Sequence, residues 1–300
     1  MAFRVWENTL ILLLLSTASY AVSGIIEYIQ IQHASVVSFY FIWSLGSLCV
    51  LPLAARSHMV VKGRTNGIRD WIMAIAGGFF LVGFNIALFL AYRSFLLAAI
   101  YPLIALSSMV FFFMDIVRFS RYIRKLTLMI ILTGICIVIS GVYLVGGGGR
   151  IPFDLALLPY VITIPIFTGV GYYLLSYNVP NNGPENKVAL MSMISVIISL
   201  PLFALFSDFH FDFLNDLLIA ASGALYSIAV FLELKAISVN QKTLKSRNVV
   251  MRNFVNNFTF LDTVMVLLGS IAIGSYTLME IAGGALIVLG VVIVSSAGKE

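Results

Sequence analysis

Residues 134–145 read GICIVISGVYLV and residues 283–294 read GGALIVLGVVIV. Gly134, Gly141, Val142 and Val145 recur as Gly283, Gly290, Val291 and Val294, each pair 149 positions apart. Both stretches are apolar and rich in Gly, Ile and Val. Elsewhere Gly77, Gly78 and Gly83, and Gly169 and Gly171, would let helices approach closely or bend. The same offset carries Ser23 to Tyr172 and Glu27 to Ser176, which aligns the first apolar run with the sixth.

Around these stretches the composition is that of a membrane protein. Of 300 residues 61% are hydrophobic and 10% charged, and the mean hydropathy is +1.04. The 18 basic and 13 acidic side chains could not coat a soluble particle of this size. A soluble enzyme, a secreted disulfide scaffold and a disordered tail are excluded. Cys49 and Cys136 both fall within apolar runs and read as packing residues.

Ten apolar runs are expected as helices: Asn8–Gln30, Ala34–Ala55, Trp71–Tyr92, Phe95–Val117, Leu126–Val145, Phe153–Leu175, Val188–Phe206, Phe213–Leu234, Val249–Ile273 and Leu278–Val294. The first is too long for a signal peptide and lacks a clear cleavage site. Continuous rather than alternating hydrophobicity selects helices over a barrel. The net charge of +5 becomes informative once located. With ten spans, 16 of the 18 Lys and Arg residues fall at one face, and only Arg93 and Arg150 at the other. Both termini are therefore expected in the cytoplasm of a cell-membrane protein. Residues 1–146 and 151–300 form two halves of five spans, joined by Gly146–Gly149 as a flexible link. Because five is odd, the second half enters the membrane in the opposite sense. The expected fold class is thus an all-α integral membrane protein of ten transmembrane helices in two inverted five-helix repeats, an architecture of transporters.

The residues Leu90-Ala91-Tyr92-Arg93, then Leu97-Ala98-Ala99-Ile100-Tyr101-Pro102-Leu103, Asp115 and Gly134 to Leu144 resemble the end of an EamA domain of the drug/metabolite transporter superfamily. Met279 to Val291 resembles the same element at the end of a second such domain. The resemblance implies ten helices, two inverted repeats and export or exchange of a small metabolite through a central cavity. The chain departs from the pattern in three places. The acidic residue expected before the last helix of each repeat has Asp115 as its nearest counterpart in one half and Ser275 in the other. Pro102 has no equivalent in the ninth run, and the link before that run is about four residues longer than in the first half.

Polar residues inside a bilayer are costly and face the bundle interior, so their spacing marks the candidate site. On the first helix Ser16, Ser19, Tyr20, Ser23 and Glu27 follow at intervals of three or four and share a face. Two readings of Glu27 stand: a carboxylate reaching interfacial water, or a buried group that binds ligand or exchanges protons. The ninth run carries Arg252, Asn256, Thr259 and Thr263 on one side, beside Asn253 and Asn257. These could hydrogen-bond between helices. Alternatively Arg252, with Lys242, Lys245 and Arg247 at the mouth, could draw an anionic group inward, or the cations could serve topology alone. Asn85 in the third run and Tyr172 with Tyr173 in the sixth could add hydrogen bonds or an aromatic wall, or could simply pack.

The substrate-binding residues expected from sequence are Tyr20, Ser23, Glu27, Asn85, Tyr172, Arg252, Asn256 and Thr259. His33, His58 and His210 lie near different loops, without the spacing of a metal site, and no GxxxxGK loop for ATP is present. No catalytic cluster, cofactor or nucleic-acid partner is expected. The reading is a secondary transporter of a small polar metabolite, an amino acid or organic acid first, working by alternating access. A sugar-phosphate or nucleotide-sugar antiporter and a non-transporting membrane scaffold are the alternatives. Its partners would be the solute, the lipid bilayer, a coupled proton or counter-substrate, and a second copy of the chain in a homodimer.

Overall fold

The computed structural model describes residues 2–60, 68–110, 113–114, 125–147, 154–176, 183–207, 211–243 and 259–296. Every regular element among the described residues is helical. In chain order these are α1 (Ala2–Gln30), α2 (Val36–Ser47), α3 (Leu51–Val60), α4 (Ile68–Ser94), α5 (Leu97–Ala105), α6 (Lys125–Gly147), α7 (Leu158–Ser176), α8 (Pro184–Phe206), α9 (Phe213–Thr243), α10 (Thr259–Ala272) and α11 (Leu278–Ser296). Seven helical stretches are long and apolar enough to cross a bilayer: Thr9–Gln30, Val36–Ala55, Trp71–Ser94, Leu128–Gly146, Leu155–Ser176, Pro184–Phe206 and Phe213–Val239. Leu97–Val110, Thr263–Ala272 and Leu278–Val294 are shorter apolar helices. The chain is an all-α, multi-pass membrane protein. Large apolar side chains such as Leu14, Phe79, Leu132, Ile139, Ile197 and Leu200 are exposed along these helices, where lipid rather than water is the compatible neighbour.

Local chemistry sets several helix ends. Ser35 caps α2 by accepting the Ser38 N–H at 3.1 Å. Thr277 and Glu280 form a reciprocal box at the start of α11: the Thr277 N–H donates to Glu280 Oε2 at 2.6 Å, and the Glu280 N–H to Thr277 Oγ1 at 3.2 Å. The α10 terminus closes on Gly274, at φ 71, with the Ser275 N–H reaching the Ser270 carbonyl and the Gly274 N–H the Ile271 carbonyl. That is a Schellman turn, and the left-handed conformation explains its glycine. The turn presents Ser275, whose Oγ accepts the Leu97 N–H at 3.1 Å. The first turn of α5, which lacks a side-chain cap of its own, is thereby satisfied from another segment.

The chain divides into two compact units, Met1–Arg93 with Gly171–Arg247, and Ser94–Val170 with Asn248–Glu300. Each combines segments from both sequence halves. In the first unit α1 lies against α9, α9 against α2, and α2 against α8. Gly46 sits on the Ala220 backbone and Gly223 on the Trp43 carbonyl, leaving no room for a Cβ. In the second unit α5 meets α10 and α11, and α6 runs along α11.

The α6–α11 packing is reciprocal. A Cβ on Gly134 would lie 2.9 Å from the Gly290 carbonyl oxygen, and one on Gly290 would lie 2.6 Å from that of Gly134. Gly141 and Gly283 stand in the same relation, at 2.6 Å in each direction. Gly134 meets Val294 while Gly283 meets Val145, and Gly141 meets Ile287 while Gly290 meets Val138. Every contact therefore maps onto another when 149 is added to one partner and subtracted from the other, as in a two-fold pairing of like surfaces.

Candidate functional site

The first unit holds a buried polar and aromatic cluster built on α1, α2, the end of α7 and α9. Intervals of three and four residues put Ser16, Tyr20, Ser23 and Glu27 on one face of α1, which packs on α9. Ser16 Oγ donates to the Ala229 carbonyl at 2.8 Å. Ser23 Oγ lies 2.7 Å from Glu27 Oε1 and 2.9 Å from the Ser222 carbonyl, so one hydroxyl proton is offered to two acceptors. Trp43 Nε1, on α2, donates to the same Glu27 Oε1 at 2.8 Å. Glu27 is only 3% exposed, so the reading of it as a carboxylate reaching interfacial water does not hold.

A second carboxylate enters from α9. Glu233 is 7% exposed, and its Oε2 accepts the Tyr20 hydroxyl at 3.0 Å. Tyr20 also makes a short hydroxyl–hydroxyl contact with Tyr172. Having given its proton to Glu233, Tyr20 accepts that of Tyr172, which makes a relay from Tyr172 through Tyr20 to Glu233. Aromatic rings pack against one another in the same cluster. Tyr226 meets Tyr20 edge-on at a centroid distance of 5.6 Å and Trp43 at 4.9 Å. Phe89 stands edge-on to Trp43 at 5.5 Å, and Tyr40 stacks on it at 6.1 Å.

Four of the residues expected from sequence, Tyr20, Ser23, Glu27 and Tyr172, come together here. Asn85 is in the same unit, 1% exposed, and its Nδ2 has no hydrogen-bond partner among the described residues. Arg252 and Asn256 lie outside the described residues, as do Lys245 and Arg247; Thr259 opens α10, but its side chain is not among those described. Asp115, the nearest acidic counterpart in the first half, is also outside them. Ser275, its counterpart in the second half, caps α5.

Sequence reasoning missed Glu233, Trp43 and Tyr226. A signal for two of them was present: Ser222, Tyr226 and Glu233 follow at four and seven residues, the helical spacing that marked α1. Among the described residues no three His, Cys, Asp or Glu side chains converge as metal ligands. Chemically, the cluster offers two carboxylates, a hydroxyl relay and ring faces, all on apolar helices.

No family model matches the chain, and no curated protein does. It is similar to a solved structure described only as the crystal structure of a protein, with 15% identity over 96% of each chain and a TM-score of 0.59. At that identity the likeness concerns the fold alone.

Proposed function

We propose that the chain is a secondary transporter that carries a small polar metabolite across the cell membrane by alternating access, with the solute held at the Glu27–Glu233 cluster. One observation carries this reading: two carboxylates, 3% and 7% exposed, sit within helices apolar enough to span a bilayer. Intramembrane ionisable groups are expensive, and where they occur they mark solute, ion or proton paths. The relay from Tyr172 through Tyr20 gives Glu233 a route for proton movement, which suits coupling to a proton or a counter-substrate.

Ten spans would require the three shorter apolar helices to cross the bilayer together with the seven long ones. The reciprocal pairing of α6 and α11 at an offset of 149 supports their arrangement as two inverted five-helix repeats. Both features fit the drug/metabolite transporter resemblance, and with ten spans the excess of Lys and Arg at one face favours both termini in the cytoplasm.

Counterflow in proteoliposomes tests the function. Vesicles preloaded with one member of a panel of amino acids, organic acids, amines, sugar phosphates and nucleotide sugars should take up the same labelled solute transiently above equilibrium. At least one class should give this overshoot with the native chain and lose it in Glu233→Gln. A panel without any overshoot above empty vesicles contradicts the transporter reading.

A further inference from the structure

We propose that the Glu27–Glu233 cluster recognises a primary ammonium group, so that the solute is an amine-bearing molecule such as an amino acid or its decarboxylated amine. This deepens the transporter reading and rests on it.

The first ground is acceptor capacity. Glu27 receives both of its hydrogen bonds on Oε1, and Glu233 its one on Oε2. Among the described residues Glu27 Oε2 and Glu233 Oε1 accept none. The Tyr226 hydroxyl, on a side chain 5% exposed, lies beside the Tyr172 hydroxyl. The two open carboxylate oxygens can accept from an ammonium, which carries three donors, and the Tyr226 oxygen adds lone pairs to the same cluster.

The second ground is charge. An ionised carboxylate removed from water needs a counter-charge. Among the described residues none of the basic side chains meets either carboxylate: Lys187 donates to the Leu175 carbonyl at 2.6 Å, and the Lys235 ammonium lies over the Phe231 ring at 5.3 Å. A counter-charge is one thing the solute can bring.

The third ground is the wall. Tyr20 and Trp43, each bonded to one of the carboxylates, pack on Tyr226, and ring faces attract cations through their quadrupole while disfavouring anions. A sugar phosphate or a simple carboxylic acid would bring a negative group to two carboxylates. An amino acid satisfies the cluster with its ammonium, and its own carboxylate must then be met elsewhere.

Thermal unfolding of the full chain in detergent tests the proposal with two matched trios: leucine, isopentylamine and 4-methylpentanoate, and phenylalanine, phenethylamine and 3-phenylpropionate. Within at least one trio an ammonium-bearing member should raise the unfolding temperature in a saturable way, while the deaminated acids should not. Glu233→Gln and Glu27→Gln should each weaken that apparent affinity about tenfold or more. Tyr226→Phe, which keeps the ring and leaves both carboxylates in place, should weaken it by a smaller factor and guards against carboxyl variants that do not fold. A shift produced by a deaminated acid alone, or the absence of any saturable shift, overturns the ammonium assignment. Counterflow of a solute without an amine would likewise overturn it while leaving the transporter reading intact.

Discussion

Tyr20 has one hydroxyl proton and stands between Glu233 and Tyr172, so the direction of its hydrogen bonds has measurable consequences. Tyr20→Phe removes the donor to Glu233 and the acceptor for Tyr172 together, and should cost about 1–3 kcal/mol. Tyr172→Phe leaves the bond to Glu233 in place and should cost less. Thermal unfolding of the two variants in detergent checks the order, and a larger loss for Tyr172→Phe contradicts the relay as drawn. Half of this site was legible in the sequence. Ser16, Tyr20, Ser23 and Glu27 stand out because hydroxyls and a carboxyl interrupt an apolar helix at a regular interval. Glu233 did not, because it sits beside Lys235 at the edge of an apolar run and so reads as a helix end. In the structure α9 continues to Thr243, which places Glu233 inside it. Trp43 and Tyr226 escaped because nothing in an aromatic residue on an apolar helix separates a ring that packs from one that walls a site.

Pairs of helices are held by the residues that are smallest. At the α6–α11 crossing a methyl group on Gly141 would stand 2.6 Å from the Gly283 carbonyl oxygen. Gly141→Ala must therefore move one helix, at a cost of about 1–3 kcal/mol. Gly283→Ala should cost a similar amount, since the contact is reciprocal. The double variant should cost less than the two together, because one displacement relieves both clashes. Additive losses in thermal unfolding would show that the two positions do not share a contact. Ser275→Ala should remove the acceptor from the first turn of α5 and cost about 0.5–2 kcal/mol in the same assay. The paired glycines were legible as a repeat, because identical residues at a fixed offset leave a trace in the sequence. The capping role of Ser275 was not, because it depends on a turn that brings Ser275 to Leu97, far away along the chain.

For the molecule as a whole, a ten-span topology, which would put 16 basic residues at one face and two at the other, predicts that both termini are reached only from the cytoplasmic side. Impermeant labelling of single cysteines at either end, in a background lacking Cys49 and Cys136, should mark both from that side; labelling of the two ends from opposite sides contradicts an even number of spans. The seven long spans were legible because hydrocarbon demands long apolar runs, whereas the compact units were not, since each draws on both halves of the chain. In the proposed mechanism the transported solute sits against the Glu27–Glu233 cluster. Trp43 reports on it directly, because its indole N–H is bonded to Glu27 and the other tryptophans are Trp6 and Trp71. In a Trp6→Phe, Trp71→Phe background, titrating the solute that supports counterflow should change Trp43 emission in a saturable way, and Glu27→Gln should abolish the change. Unaltered emission from a protein that still performs counterflow would place the solute elsewhere and contradict the claim.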